Sequence, residues 1–240
     1  MQLVNIHQVK AVLELRSGLR IGASEGEIRI GGVDNQVIRH GLSGEPYIPG
    51  SSLKGKVRSL LEWRSGAVRP EPLGLADMSD RHSDVRPILQ LFGVGGGDQP
   101  TDKQAFDLGP TRLAFWDAPL RPDWVRQVKD DNQMLVEVKT ENRIDRIKGV
   151  AEHPRQTERV PAGALFDFRL SVKRLDIDSD GQHLRAMLLA GLRLLELDSL
   201  GGSGSRGYGK VRFSQVTWDG ADIQAEFDAI DPFAGVARAA

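Results

Sequence analysis

The sequence predicts an α+β fold, built from strands and helices that alternate through one unit of 240 residues. Three observations predict it. Val9–Leu15 and Ala164–Val172 alternate apolar and polar residues with the period of a strand. Leu53–Leu61 repeats apolar residues at helical spacing, and Leu184–Leu197 is apolar on most sides at helical length. These four stretches come in the order strand, helix, strand, helix, and a last alternating stretch, Lys210–Trp218, follows them.

Taken in order, Val9-Lys10-Ala11-Val12-Leu13-Glu14-Leu15 is the first strand, and Gly18, Gly22 and Gly26 break the chain after it. Gly31-Gly32-Val33-Asp34-Asn35 reads as a turn or loop. Pro46, Pro49 and Gly50 mark an extended approach to a helix that Ser51 or Ser52 is placed to cap, since a serine oxygen accepts a first-turn N–H. Leu53, Val57, Leu60 and Leu61 form its core stripe, and Lys54 and Arg58, four apart, share another face. Residues 66–110 are rich in Pro, Gly and Asp and predict long loops, with a short helix at Val85–Phe92. Thr111–Trp116 and Val136–Thr140 read as strands. Glu141–Arg159 holds nine charged residues and few apolar ones. Lying between two strands, residues 141–163 predict a finger that projects from the core. The second helix ends at Gly201-Gly202. The order is compatible with a ferredoxin-like core carrying insertions.

Composition narrows the function. At 27% charged and 40% hydrophobic residues, the chain is that of an ordinary globular domain. The absence of cysteine excludes disulfides, thiolate zinc sites, iron–sulfur clusters and a cysteine nucleophile. No apolar run approaches about 18 residues, so no membrane span is expected, and Met1–Asn5 has neither the basic start nor the apolar stretch of a signal peptide. The formal net charge is −1 but unevenly spread. Lys54, Lys56, Arg58, Arg64 and Arg69 face Glu62 alone, and Arg206, Lys210 and Arg212 face no acid between Gly201 and Phe213. Five acids lie from Asp219 onward. Such a chain can carry a basic stripe under a neutral total.

Three motifs fail on physical grounds. Asp176–Gly181 imitates the start of a calcium loop, but Met187 stands where the bidentate Glu belongs. Gly202-Ser203-Gly204-Ser205-Arg206-Gly207 matches a dinucleotide fingerprint, yet a helix precedes it and a strand follows, the reverse of what pyrophosphate binding needs. Gly204–Lys210 resembles a P-loop, but Val211 replaces the magnesium-binding hydroxyl. A fourth half succeeds: Arg206–Phe213 fits an RNA-recognition signature except at Lys210, where an aromatic would stack a base. What remains is a compact loop of bare backbone, serine hydroxyls and Arg206, suited to a sugar-phosphate backbone. A tight glycine turn that caps the helix fits equally well. His7, His40, His82, His153 and His183 show no metal-ligand spacing, and Asp34 is the most plausible lone carboxylate for a site.

Four stretches taken together point further. Gly31–Asn35, Ile48-Pro49-Gly50-Ser51-Ser52-Leu53-Lys54-Gly55-Lys56, Pro154–Arg159 and Leu200–Gly209 resemble, in order and spacing, the backbone subunit of the type III-A CRISPR effector, the Csm complex, in the RAMP superfamily. The resemblance runs from about Val9 to Val216. It implies a single RAMP-like domain over 1–240, a modified ferredoxin-like (RRM-like) core with a loop insertion at 66–110, a thumb hairpin at 141–161 and a late glycine-rich loop. It implies partners: a CRISPR guide RNA, a single-stranded target RNA, further copies of the chain in a filament and other subunits of the complex, in a prokaryotic cytoplasm. It also implies endoribonuclease activity with a divalent metal, Mg or Mn, and matches Asp34 to the aspartate needed for cutting. The guide surface matches Ser51, Ser52, Lys54, Arg58 and Gly201, Gly202, Ser203, Ser205, Arg206 and Gly207. The thumb adds Asn142, Arg143 and Arg155. Arg20, within Gly18-Leu19-Arg20-Ile21-Gly22, stands where the family pattern often has a histidine. A catalytically inactive guide-binding backbone, or a stand-alone RNA-processing endonuclease, remain alternatives.

Overall fold

The computed structural model describes residues 1–22, 35–79, 82–95, 97, 99–178 and 181–234. Its centre is a five-stranded sheet in which every neighbouring pair is antiparallel. β1 (Leu3–Leu15) is the middle strand, six residues longer than alternation alone predicts. The helix α1 (Gly50–Ser65) follows a short β2 (Tyr47–Ile48). α2 (Val85–Phe92) lies where expected. α3 (Asp102–Leu108), β3 (Leu113–Phe115), β4 (Ala118–Pro119) and α4 (Pro122–Asp130) come next. A hairpin of β5 (Glu137–Ile144) and β6 (Ala151–Arg159) leads into β7 (Leu165–Leu175). α5 (Gly181–Leu197), β8 (Val211–Trp218), β9 (Ala221–Asp222) and α6 (Gln224–Asp228) are the last of the described elements. The main sheet runs β3-β7-β1-β8-β9.

The core sits between this sheet and two helices. Val9, Ala11, Leu13 and Leu15 of β1 and Phe166, Phe168, Leu170 and Val172 of β7 are buried on one face. They meet Leu53, Val57 and Leu61 of α1 and a run of leucines on α5. Gly191 permits the close crossing of the helices, because a Cβ there would lie 2.8 Å from Val57 and 2.9 Å from Leu61. Phe115, Phe168, Phe213 and Phe227 pack edge to face in sequence, with centroids 5.0–6.4 Å apart.

Several expectations need correcting. Ser51 and Ser52 do not cap α1: the N-cap is Pro49, and the Gly50 N–H donates to the Asp117 carboxylate at 2.8 Å. A distant acid does the capping, so both serines sit inside the first turn. Residues 66–110 are not long loops. Leu73, Val85, Leu89 and Leu108 form a second small core, and α3 starts from a capping box between Thr101 and Gln104. The strand expected at Val136–Thr140 does not join the main sheet. It is the first strand of the finger itself, since Val138 is exposed and one apolar edge cannot fill an internal strand. α5 ends at Leu197, where its apolar spacing predicts, but begins three residues earlier than expected, at Gly181. No helix among the described residues is long and apolar enough to cross a membrane.

Candidate nucleic-acid interface

The glycine-rich loop is seated on the segment that leaves β1. The Gly202 N–H donates to the Arg20 carbonyl and the Gly209 N–H to the Gly18 carbonyl, both at 2.9 Å. Inside the loop, Arg206 and Gly207 donate to Ser203 and Gly204. Four of its N–H groups are therefore satisfied within the protein, fewer bare donors than the sequence suggests. Its glycines fall into two kinds. At Gly201 a Cβ would lie 2.3 Å from the Arg20 carbonyl oxygen, and at Gly209 1.9 Å from that of Leu200, both at positive φ. Those two hold the loop shut. Gly202 has nothing nearer than 3.9 Å, and Gly207 has open space. Those two face outward.

The finger is an antiparallel hairpin, largely exposed, turned by Asp145, whose carboxylate accepts from the Ile147 and Lys148 N–H groups. It meets the glycine-rich loop through charge. Arg206 donates to Glu141 at 2.8 Å, Lys139 lies 3.4 Å from the same carboxylate, and the ammonium of Lys139 and the guanidinium of Arg159 stand 4.6 and 4.9 Å from the Tyr208 ring centroid. Burial alone would raise the Glu141 carboxyl, but the Tyr208 hydroxyl, Arg206 and Lys139 outweigh it and hold it below its ordinary range. Burial, with Glu141 beside it, pushes the Tyr208 hydroxyl up. Between hairpin and loop lies a cavity of about 580 Å³, lined by Glu141, Asn142, Arg143, Ile144, Arg146, His153, Arg155 and Arg206. Four arginines thus face one acid. Arg143, Arg146 and Arg155 make no ion pair among the described residues. Four sequence-predicted residues, Asn142, Arg143, Arg155 and Arg206, converge here, joined by Arg146 and His153, which sequence reasoning did not nominate.

The helix contributes less than expected. Ser51 is exposed and Ser52 half-buried in the first turn. Lys54 makes no ion pair among the described residues, and burial, then Arg58, lower its pKa. Arg58 turns inward: it donates to Glu62 at 2.7 Å and to the Leu73 carbonyl at 2.8 Å, with a side chain 13% exposed. It ties α1 to the second small core instead of standing beside Lys54 for a ligand. None of Ser51, Ser52, Lys54 or Arg58 lines the hairpin cavity. An ion pair of 2.6 Å between Lys56 and Asp198 nonetheless fixes α1 beside the segment entering the glycine-rich loop.

Asp34 lies outside the described residues. Its neighbour Asn35 is held from three sides: its carbonyl accepts from the Glu158 N–H at 2.9 Å, its side-chain oxygen accepts from Arg20 at 2.8 Å, and it bridges Thr157 in parallel register. Arg20 therefore links the glycine-rich loop, the hairpin base and the residue that follows Asp34. Its Nε is buried without a hydrogen-bond partner among the described residues. Asp178 of the calcium-like run is taken by Arg112, α5 precedes the glycine-rich loop and β8 follows it, and the described residues contain no group of three or more His, Cys, Asp or Glu that could hold an ion.

Comparison with known proteins finds relatives over most of the chain. The RAMP superfamily model matches residues 12–212. A relative from Methanothermobacter thermautotrophicus, named CRISPR system Cms endoribonuclease Csm3, is 40% identical over 217 residues, covering 84% of this chain and 80% of its own. The protein of the same name from Streptococcus thermophilus is 41% identical over 213 residues, covering 86% of each chain. Among solved structures, the Csm3–Csm4 subcomplex of the type III-A CRISPR-Cas interference complex superposes with a TM-score of 0.54 at 29% identity, over 91% of this chain and 80% of that one.

Proposed function

The chain belongs to the RAMP superfamily and, within it, to the Csm3 endoribonucleases, and on that premise we propose that it is a backbone subunit that holds a guide RNA and cuts target RNA. It would stack with further copies of itself and with other subunits of a type III complex, in a prokaryotic cytoplasm. The observation that carries this reading is the cavity between the hairpin and the glycine-rich loop. One strand pair and one loop, 65 residues apart at Glu141 and Arg206, bring four guanidinium groups to a common space against a single carboxylate. That is the charge balance of a phosphate-binding groove. The fold supports the same reading. With α1 after β1 and α5 after β7, the order β3-β7-β1-β8 is that of a ferredoxin-like core, into which residues 66–110 and the hairpin are inserted. The hairpin is the thumb.

Cutting is attack of a ribose 2′-oxygen on the adjacent phosphorus: the 2′-OH gives up its proton, the bond from phosphorus to the 5′-oxygen breaks, and that oxygen leaves as a 5′-hydroxyl opposite a 2′,3′-cyclic phosphate. The protein's share is to splay the strand toward in-line geometry and to handle charge at the scissile bond. Guanidinium groups of the groove grip the flanking phosphates and fix the strand. Asp34 handles a proton or a cation at the reacting phosphate. A divalent cation of the Mg or Mn kind belongs to the proposal through the hard carboxylate oxygen that Asp34 offers. The described residues hold no group of three or more His, Cys, Asp or Glu that could cage it.

The experiment is Asp34→Ala in an assembled complex. Cleavage should fall by at least about 10²-fold, the low end of what a positioned acid–base group contributes. Guide and target affinity should hold or rise slightly, since one charge that repels phosphate is gone. Full cleavage by the variant would reduce Asp34 to turn chemistry.

A further inference from the structure

The face of the sheet turned away from α1 and α5 carries cations without acids of their own. Along β1 and β7 the residues that alternate with the buried ones point to this face: Gln8 and Lys10 on β1, Arg169, Ser171 and Lys173 on β7. Lys10 and Arg169 are both exposed and stand directly opposite each other in the β1–β7 register. Like charges in that relation destabilise a sheet unless something neutralises them. Neither side chain is ion-paired among the described residues, and nor are Lys173 and, on β8, Arg212. The acids on the same face are engaged elsewhere: Glu14 pairs with Arg16 at 2.8 Å, Asp167 lies within electrostatic reach of Arg121, and Asp222, opposite Thr217 on β9, accepts from the Gln224 N–H at 2.8 Å.

Beside these cations stands an aromatic ring. Trp116, just past β3, is 55% exposed. Its indole N–H donates to the Ser171 hydroxyl at 3.0 Å, and that hydroxyl also accepts from the Gln8 amide at 3.1 Å. Its backbone N–H donates to the Arg169 carbonyl. The ring is thus held in place at the sheet surface. Its neighbours across the strands, Ser171 and Gln8, are polar, and the next row is Arg169, Lys10 and Thr217. The row on the other side holds Lys173 and Ile6, whose side chain is exposed. A fixed π-face flanked by unpaired cations suits a base and its phosphates, as on other single-strand-binding sheets.

We propose that this face is a second contact for single-stranded RNA, separate from the hairpin groove, in which a base stacks on Trp116 while flanking phosphates meet Arg169 and Lys10. The proposal goes beyond the function given above and does not depend on it. The test uses the full chain and a labelled oligouridine of roughly ten nucleotides, within the site size of a single-strand-binding domain, followed by fluorescence anisotropy across a salt titration. Trp116→Ala should weaken binding about tenfold or more, the loss carried by one base–aromatic stack, and Trp116→Phe should restore most of it. The Lys10→Ala, Arg169→Ala double variant should lower the log–log salt slope by about 1.4, at about 0.7 per phosphate. Binding that survives Arg143→Ala with Arg155→Ala should still respond to Trp116, which separates this face from the groove. RNA affinity and slope indifferent to Trp116, Lys10 and Arg169 in every background would overturn the proposal. So would a Trp116→Ala variant that changes the size of the assembly on gel filtration while leaving RNA affinity alone, since the face would then bind protein.

Discussion

Two charged clusters lie at opposite ends of β1 and β7, and they are finished in opposite ways. At one end, where Leu175 pairs with Leu3, Arg112 and Asp178 are 0% and 1% exposed. The guanidinium donates to both carboxylate oxygens and to the Pro110 carbonyl, and Asp178 also accepts from the Leu175 N–H at 2.9 Å. Each of these two charges has its partner in the other. At the other end, where the Leu15 N–H meets the Ala164 carbonyl, lies the hairpin cavity, with Arg143 and Arg155 exposed and unpaired and Arg206 65% exposed against Glu141. A closed pair belongs to folding, since it offers a ligand nothing. An open cluster of one sign is stable only because water or a ligand can complete it.

The largest effect should come from breaking the closed pair. Asp178→Ala leaves Arg112 buried without its anion and should cost about 3–5 kcal/mol in urea unfolding. The folded fraction should bind RNA as the parent does. A loss below about 1 kcal/mol would mean that the end of β7 relaxes enough to hydrate Arg112, and the contrast between the clusters would weaken.

A smaller effect sharpens the same contrast inside the glycine-rich loop. Gly209→Ala puts a Cβ on the Leu200 carbonyl oxygen in a left-handed backbone, which alone costs roughly 1–2 kcal/mol. Stability should fall by at least that much. Gly202→Val brings a Cβ no nearer than 3.9 Å to Arg20 at ordinary φ, so its stability should stay within about 0.5 kcal/mol of the parent. It should instead weaken RNA binding by crowding the approaching backbone. Gly207 is no substitute for Gly202 in this test, because its φ of 82° strains any side chain. Equal melting losses for Gly209→Ala and Gly202→Val would make the loop a helix-end turn and nothing more.

What the chain reveals before folding is the periodic part. Alternation marks β1, β7 and β8, and leucine spacing marks α1 and α5, because one face of each is fully buried. α3 and α4 escape notice since they are short and sit in segments rich in Pro, Gly and Asp. Their signals are local: a Thr101–Gln104 box and Pro122 at the first helical position. The site is legible in its parts and not in their pairing. Arg206 and Arg155 stand out, but nothing local says that Arg206 meets Glu141 or that Tyr208 lies under Lys139. Arg58 looks like Lys54's companion only until the fold brings Leu73 and Glu62 to it. Asp178 reads as part of a turn, and its partner Arg112 is 66 residues away.

The smallest effect concerns Glu141, the one acid in the open cluster. It ties the hairpin to the glycine-rich loop through Arg206, and its carboxylate opposes the phosphates that the arginines attract. Its folded pKa lies below the ordinary 4.5. A depressed carboxylate contributes stability that is present above the unfolded pKa and lost as pH falls through the folded one. The stability gap between the parent and Glu141→Gln should therefore be level from neutral pH down to about 5 and close below the folded value. Because the group is near the surface, the gap should be small. On RNA the sign reverses. Glu141→Gln releases Arg206 and removes one repulsive charge, so affinity should rise slightly and the salt slope should steepen by up to about 0.7, one further phosphate contact. A variant that instead binds RNA more weakly, at unchanged stability, would show that Glu141 orders Arg206 for its phosphate. The open cluster would then need its single acid as much as the closed pair needs Asp178.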